Sequence, residues 1–150
     1  MNGEEEGAGT GGLRDPLAGN LGYQMRRASA LVMARFGEAL AELDLRVAEA
    51  SILMVLDANP GATQSGVGRL LGIQRANMAP LITALERRGL IARADTDGRA
   101  QPLKLTGTGK ALAAQVRAKS DGEEAWLAES LDAQTIAAMT AALRRLRVAG

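Results

Sequence analysis

Cysteine and histidine are both missing from the 150 residues. Without a thiol there are no disulfides, thiolate nucleophiles or redox-sensing cysteines. Without an imidazole there is no histidine general base, no histidine pH switch and no ordinary zinc site, so catalytic and metal-ligating residues are expected to be none and cofactors likewise. Aromatic residues are nearly as scarce, with one each of Trp, Tyr and Phe, which leaves little for a β-sandwich core that draws on Val, Ile, Tyr and Phe. No apolar run approaches the roughly 20 residues of a membrane span, and no basic segment followed by an apolar stretch opens the chain. No membrane partner is expected, and a cytoplasmic location is. What is abundant is Ala and Leu within a 47% hydrophobic composition, which favours helices, on a length that suits one domain with a real core.

The net charge of +1 hides an uneven distribution. Residues 1–62 carry a net −4, residues 63–117 a net +6, and residues 118–150 a net −1. A basic middle between acidic ends is the footprint of a nucleic-acid-binding module in a neutral scaffold, and equally of a solvated basic face.

Residues 1–16 begin Gly-rich, with the acidic run Glu4, Glu5 and Glu6, and are expected to be a disordered tail. From Leu21 the apolar positions Leu21, Met25, Ala28, Val32, Phe36, Leu40 and Leu43 recur every three or four residues, predicting a long helix with one continuous stripe. Ala50, Ile52, Leu53, Val55 and Leu56 predict a second helix, ended by Asn59, Pro60 and Gly61. Thr63 suits the N-cap of a short helix that stops at Leu71, with Gly72 as its left-handed terminator. Met78, Leu81, Ile82 and Leu85 are the inward stripe of the next helix, which Gly89 closes. Two short helices joined at a glycine turn make a helix-turn-helix. Pro80 requires either a helix that begins near Asn77, with Pro80 in its first turn, or a kink. Residues 90–94 and 102–106 read as two short strands about the hairpin signal Asp97-Gly98. Thr106 or Thr108 can cap a long helix with an interruption near Gly122, along which Glu123 and Glu124 read as a solvated face. Asp132 can cap a last helix striped by Ile136, Met139, Leu143 and Leu146. Strong stripes on both the first and last helices, remote from the basic middle, point to a homodimer.

Phosphate-loop and dinucleotide patterns fail on spacing. Gly107-Thr108-Gly109-Lys110 is followed by Ala111, and Gly66, Gly68 and Gly72 sit between helices rather than after a strand.

In order and at this spacing, Leu85-Glu86-Arg87-Arg88-Gly89-Leu90-Ile91 with Arg93, then Asp97-Gly98-Arg99, then Leu105-Thr106 and Gly109 resemble the MarR family of winged-helix regulators. The likeness spans roughly residues 21–147. It departs at Gly66 and Gly68, where the family usually has better helix formers, and at Pro80. The resemblance implies a mainly α fold: a winged helix-turn-helix at about 47–106 with a small β-hairpin wing, and dimerisation helices at about 17–45 and 107–148, all in a single domain at 17–150. It also implies a homodimeric transcriptional repressor and an effector pocket for a small aromatic or anionic molecule. Met33, Phe36, Met54 and Trp126 are candidates for lining that pocket, with ordinary core packing as the other reading.

Physical roles can be argued without the family. A helix fits the major groove, and the face opposite Met78, Leu81, Ile82 and Leu85 offers Gln74, Arg75, Asn77 and Thr83. Arg75 suits guanine and Asn77 adenine, unless Asn77 is an N-cap; Gln74 can serve either purpose. Arg99 at the wing tip would enter the minor groove with Asp97 holding its guanidinium. Thr63, Gln64 and Ser65 can meet a phosphate or simply cap. Arg87, Arg88, Arg93 and Lys104 are backbone-contact candidates on charge alone. The expected partner is double-stranded DNA with a pseudo-palindromic operator; the alternative is a winged-helix interaction scaffold without specific DNA binding.

Overall fold

The computed structural model describes residues 13–94 and 101–149. Most of the expected tail and the wing turn that holds Asp97 and Arg99 lie outside the described residues. Within them run α1 (Leu21–Ala41), α2 (Val47–Ala58), α3 (Gln64–Leu71), α4 (Arg75–Arg87), β1 (Ile91–Arg93), β2 (Leu103–Leu105), α5 (Gly107–Ser130) and α6 (Ala133–Ala149). The fold is mainly α, a winged helix-turn-helix with long helices on either side.

α2 is the hub. Ala50, Ile52, Leu53 and Leu56 are buried along a broad face, because it packs against α1, α3, α4, α5 and β2 at once. Its N-terminus is closed by the Glu49 carboxylate, which accepts the Arg46 backbone N–H at 2.9 Å. Val67 of α3, Met78, Ile82 and Leu85 of α4, and Leu103 of β2 complete the core beside it. The hairpin pairs Ile91 with Leu105 and Arg93 with Leu103 in antiparallel register. A single bridge between Thr63 and Pro102, with bonds from Gly61 N–H to the Leu103 carbonyl and from Leu103 N–H to the Ala62 carbonyl, ties the wing to the start of α3.

The helix caps fall where the sequence places them. Thr63 accepts from Gly66 N–H, Gly72 turns left-handed at φ 67°, and Gly89 does the same at φ 65°. Of the two threonines offered for α5, Thr106 is the cap. It accepts from Gly109 N–H at 3.0 Å and donates its hydroxyl to the Gly89 carbonyl at 2.6 Å, while its own N–H meets the Leu90 carbonyl at 3.0 Å. The approach is so close that a Cβ on Gly109 would lie 1.9 Å from the Leu90 carbonyl oxygen.

Four expectations need correction. α4 begins at Arg75, so Pro80 lies in its interior, and of the two alternatives offered for it the helix that begins near Asn77 falls. Both Pro80 and Ala76, whose carbonyl loses the usual partner, are on the exposed side, where water can serve that oxygen. α5 runs unbroken through Gly122. Glu123 is not a solvated residue: its side chain is 13% exposed and faces Arg35 of α1 at 3.5 Å. The α1 stripe is also not one seam. Leu40 is buried and Phe36 and Leu43 pack on the core, Leu43 from the turn beyond the helix, whereas Leu21 at the other end is 73% exposed.

Ion pairs hold α5 to its neighbours: Arg117 with Asp57 of α2 at 2.9 Å, and Lys119 with Glu42 beyond α1. α6 presents Met139, Leu143 and Leu146 outward, all more than 40% exposed, an apolar row left open among the described residues. None of the described helices is long and apolar enough to cross a membrane.

Two outcomes follow. Gly109→Ala should destabilise the fold by about 3 kcal/mol, since the clash is with backbone, whereas Gly122→Ala, with open space around its Cβ, should stabilise by roughly 0.5–1 kcal/mol; thermal unfolding compares them. At the start of α6 the backbone N–H and hydroxyl of Thr135 both donate to Asp132 and hold its carboxyl below the ordinary 3.8. A lowered folded pKa stabilises above the unfolded value and is lost as pH falls through the folded one. Asp132→Ala should therefore lower the melting temperature at pH 7, and by less as the pH is brought below 3.8.

Candidate nucleic-acid interface

Two helix beginnings define the site. In α3 the first intrahelical bond runs from Val67 N–H to the Thr63 carbonyl, so Gln64 and Ser65 sit ahead of it at the positive end of the helix dipole. In α4 the Gln74 carbonyl takes the N–H groups of Asn77 and Met78, while the Gln74 side chain makes no capping bond. Gly68 lets the two helices meet: a Cβ there would be 3.0 Å from Met78 Cγ and 3.3 Å from the Ile73 carbonyl. The glycine that looks like a poor helix former thus sits at a close approach of the two helices, where a side chain would press on Met78 and Ile73. Both helix starts open onto one groove of about 730 Å³ between α3, α4 and the base of the wing. Arg69, Arg75 and Arg93 line it, with Gln64, Gln74 and Gln101, and among the described residues no acidic side chain does.

The arginines of this region have different situations. Arg93, on β1, is held by Glu86 of α4, Nε to Oε1 at 2.9 Å, and its Nη2 reaches Gln64 Oε1 at 3.4 Å. Arg88 points elsewhere. It donates to the Asp44 carbonyl at 2.7 Å and to the Leu43 carbonyl at 3.5 Å, bracing a turn in which Asp44 adopts a left-handed φ of 52°. Among the described residues, Arg69 and Arg75 are engaged by no carboxylate. The groove is a concave, cationic surface with two helix N-termini, suited to binding phosphate and to presenting one helix edge to a duplex.

Comparison with known proteins agrees with this geometry. A family model described as MarR family matches residues 43–100, from the turn before α2 into the wing. The transcriptional repressor CouR, solved bound to a 23-mer DNA duplex, is 35% identical with a TM-score of 0.79, over 85% of this chain and 92% of CouR. CouR bound to p-coumaroyl-CoA gives 34% identity and a TM-score of 0.77, over 85% and 91%. The HTH-type transcriptional repressor Rv2887 of Mycobacterium tuberculosis is 29% identical over 127 residues, 83% of this chain and 86% of that protein. The chain belongs to the MarR family.

On this MarR reading head, Thr63, Gln64, Ser65, Gln74 and Arg75 are brought together in the groove. Thr63 and Ser65 are hydroxyl neighbours at 3.4 Å, and Thr63 also does the capping that was its alternative reading. Asn77 is exposed in the first turn of α4, and the N-cap reading of it falls because Gln74 holds that position. Thr83 and Arg87 are exposed farther along the same helix, and Lys104 is exposed on β2, all beyond the groove. Asp97 and Arg99 lie outside the described residues.

The candidate pocket residues are spread between surface and core. Met33 is 50% exposed, Phe36 and Met54 pack against the core, and Trp126 is half-buried with the Arg35 guanidinium 4.1 Å from its ring centre. Two groove residues escaped the sequence reading. Arg69 follows Ser65 by one helical turn, a spacing that would have found it. Gln101 carries no such signal.

The bracing role of Arg88 gives a checkable separation: Arg88→Ala should cost about 1 kcal/mol in urea unfolding while changing affinity for duplex DNA less than twofold.

Proposed function

We propose that this chain is a homodimeric transcriptional repressor that binds duplex DNA sequence-specifically and is relieved by a small-molecule effector, acting by binding and not by chemistry. The observation that carries the reading is the groove at the starts of α3 and α4, lined by Arg69, Arg75 and Arg93, in a chain 35% identical to a repressor solved on a DNA duplex. α4 enters the major groove by its N-terminal half, with Arg75 and Asn77 at base edges and Gln74 and Thr83 beside them. Thr63, Gln64 and Ser65 meet the phosphate backbone, and Arg87 and Lys104 add charge along it. The wing turn with Asp97 and Arg99 reaches the minor groove.

The uncovered rows on α6 and on the first half of α1 are the faces for a second copy. A dimer places two α4 helices near one turn of DNA apart, about 34 Å, which is why the operator is pseudo-palindromic. The effector site lies around Met33, Phe36, Met54 and Trp126, between the long helices and the reading head, and suits a small aromatic or anionic molecule. CouR's binding of p-coumaroyl-CoA supports an effector of that kind.

Selection from random duplex DNA at two salt concentrations tests the first part. Inverted repeats should emerge, affinity should fall steeply with salt, and Arg75→Ala should relax one base preference by about 1–3 kcal/mol. Binding that is weak and without sequence preference would replace the regulator with an interaction scaffold. For the effector, Trp126 is the sole tryptophan, so its emission reports on that site. A saturable change with aromatic acids or acyl-CoA thioesters, matched by release of DNA, is expected. A flat response across the panel removes the effector from the proposal.

A further inference from the structure

Arg93 is the one groove arginine whose guanidinium is held from two other elements among the described residues. Its Nε lies 2.9 Å from Glu86 Oε1 on α4, and its Nη2 lies 3.4 Å from Gln64 Oε1 at the first position of α3. Both partners are partly sheltered, the Arg93 side chain being 36% and the Glu86 side chain 30% exposed. The arrangement joins recognition helix, wing strand and the phosphate-facing end of α3 through one side chain. It also has an electrostatic cost, because a carboxylate near a DNA-binding groove repels phosphate.

We propose that Glu86 and Gln64 are positioning residues that fix Arg93 as a phosphate anchor of the groove. The proposal rests on the DNA-binding reading above. Five N–H donors lie in the plane of a guanidinium. Glu86 takes the one on Nε and Gln64 one on Nη2, which leaves the Nη1 pair and the second Nη2 hydrogen for a phosphate oxygen. An arginine already held loses less side-chain freedom on binding than one recruited from solvent. Glu86 therefore favours DNA binding through Arg93 although its own charge opposes it.

That opposition makes the sign of the effect decisive. If charge alone mattered, Glu86→Ala and Glu86→Gln would both tighten DNA binding, by the same amount. Positioning predicts the reverse, and a graded one: Glu86→Ala weakens binding about fivefold, and Glu86→Gln, whose amide oxygen can still accept from Arg93 Nε, recovers part of the loss.

The test measures binding of the full-length chain to a selected duplex by fluorescence anisotropy over a salt series, with a thermal melt of each variant to confirm that it is folded. Arg93→Ala should weaken binding about tenfold and reduce the salt slope by about 1. In the Arg93→Ala background, Glu86→Ala should no longer weaken binding and should tighten it slightly. Equal or tighter binding of folded Glu86→Ala with Arg93 present overturns the positioning role and leaves the DNA-binding reading intact. Loss that persists undiminished in the double variant also overturns it, because Glu86 would then act by another route. Failure of the unaltered protein to bind any duplex selectively overturns the parent reading and this proposal together.

Discussion

The fold turns on the place where α5 begins. Thr106 and Gly109 bring the first turn of that helix into contact with the carbonyls of Gly89 and Leu90, immediately beyond the recognition helix. No side chain fits at residue 109, and Thr106 bonds to the carbonyls of both Gly89 and Leu90, so the direction in which α5 leaves the reading head is set close against backbone. Backbone contacts tolerate little adjustment, unlike side-chain packing, which can be redistributed among rotamers. α2 then fills the space between this junction and α1, and the burial of Ala50, Ile52, Leu53 and Leu56 follows from the elements packed against it.

Local chemistry was legible in the sequence wherever a residue acts on its own neighbours. Thr63, Gly72, Gly89, Thr106 and Asp132 announce helix ends because capping and left-handed turns are decided within four residues. Tertiary demands were not legible in the same way. Gly68 looks like a weakness in α3 until Met78 is seen against it, and Pro80 allows a helix that begins near Asn77 until α4 is seen to begin at Arg75. The α1 stripe has a regular period along its length, yet only its second half meets the core, since periodicity reports an apolar face and not what covers it.

The same distinction runs through the candidate site. Gln64, Gln74 and Arg75 were found because their place at helix starts carries a mechanism. A count of basic residues could not separate Arg93, which lines the groove, from Arg88, which braces the turn at Leu43 and Asp44. Charge has no direction in a sequence; the partners that give it one, Glu86 for the first and the carbonyls of Leu43 and Asp44 for the second, lie on other elements or far along the chain. Glu123 taught the reverse lesson, an acidic residue on a helix that turns inward because Arg35 waits there.

The continuity of α5 through Gly122 has a mechanical consequence. An unbroken helix of 24 residues is a rod about 36 Å long. With one end clamped at Leu90, it behaves as a lever whose short arm is the reading head and whose long arm reaches toward α6. A tilt of about 5° at the clamp carries the far end through about 3 Å, and the relation works equally in the other direction. A shift imposed at the far end thus returns to the clamp at Leu90 as a change of angle.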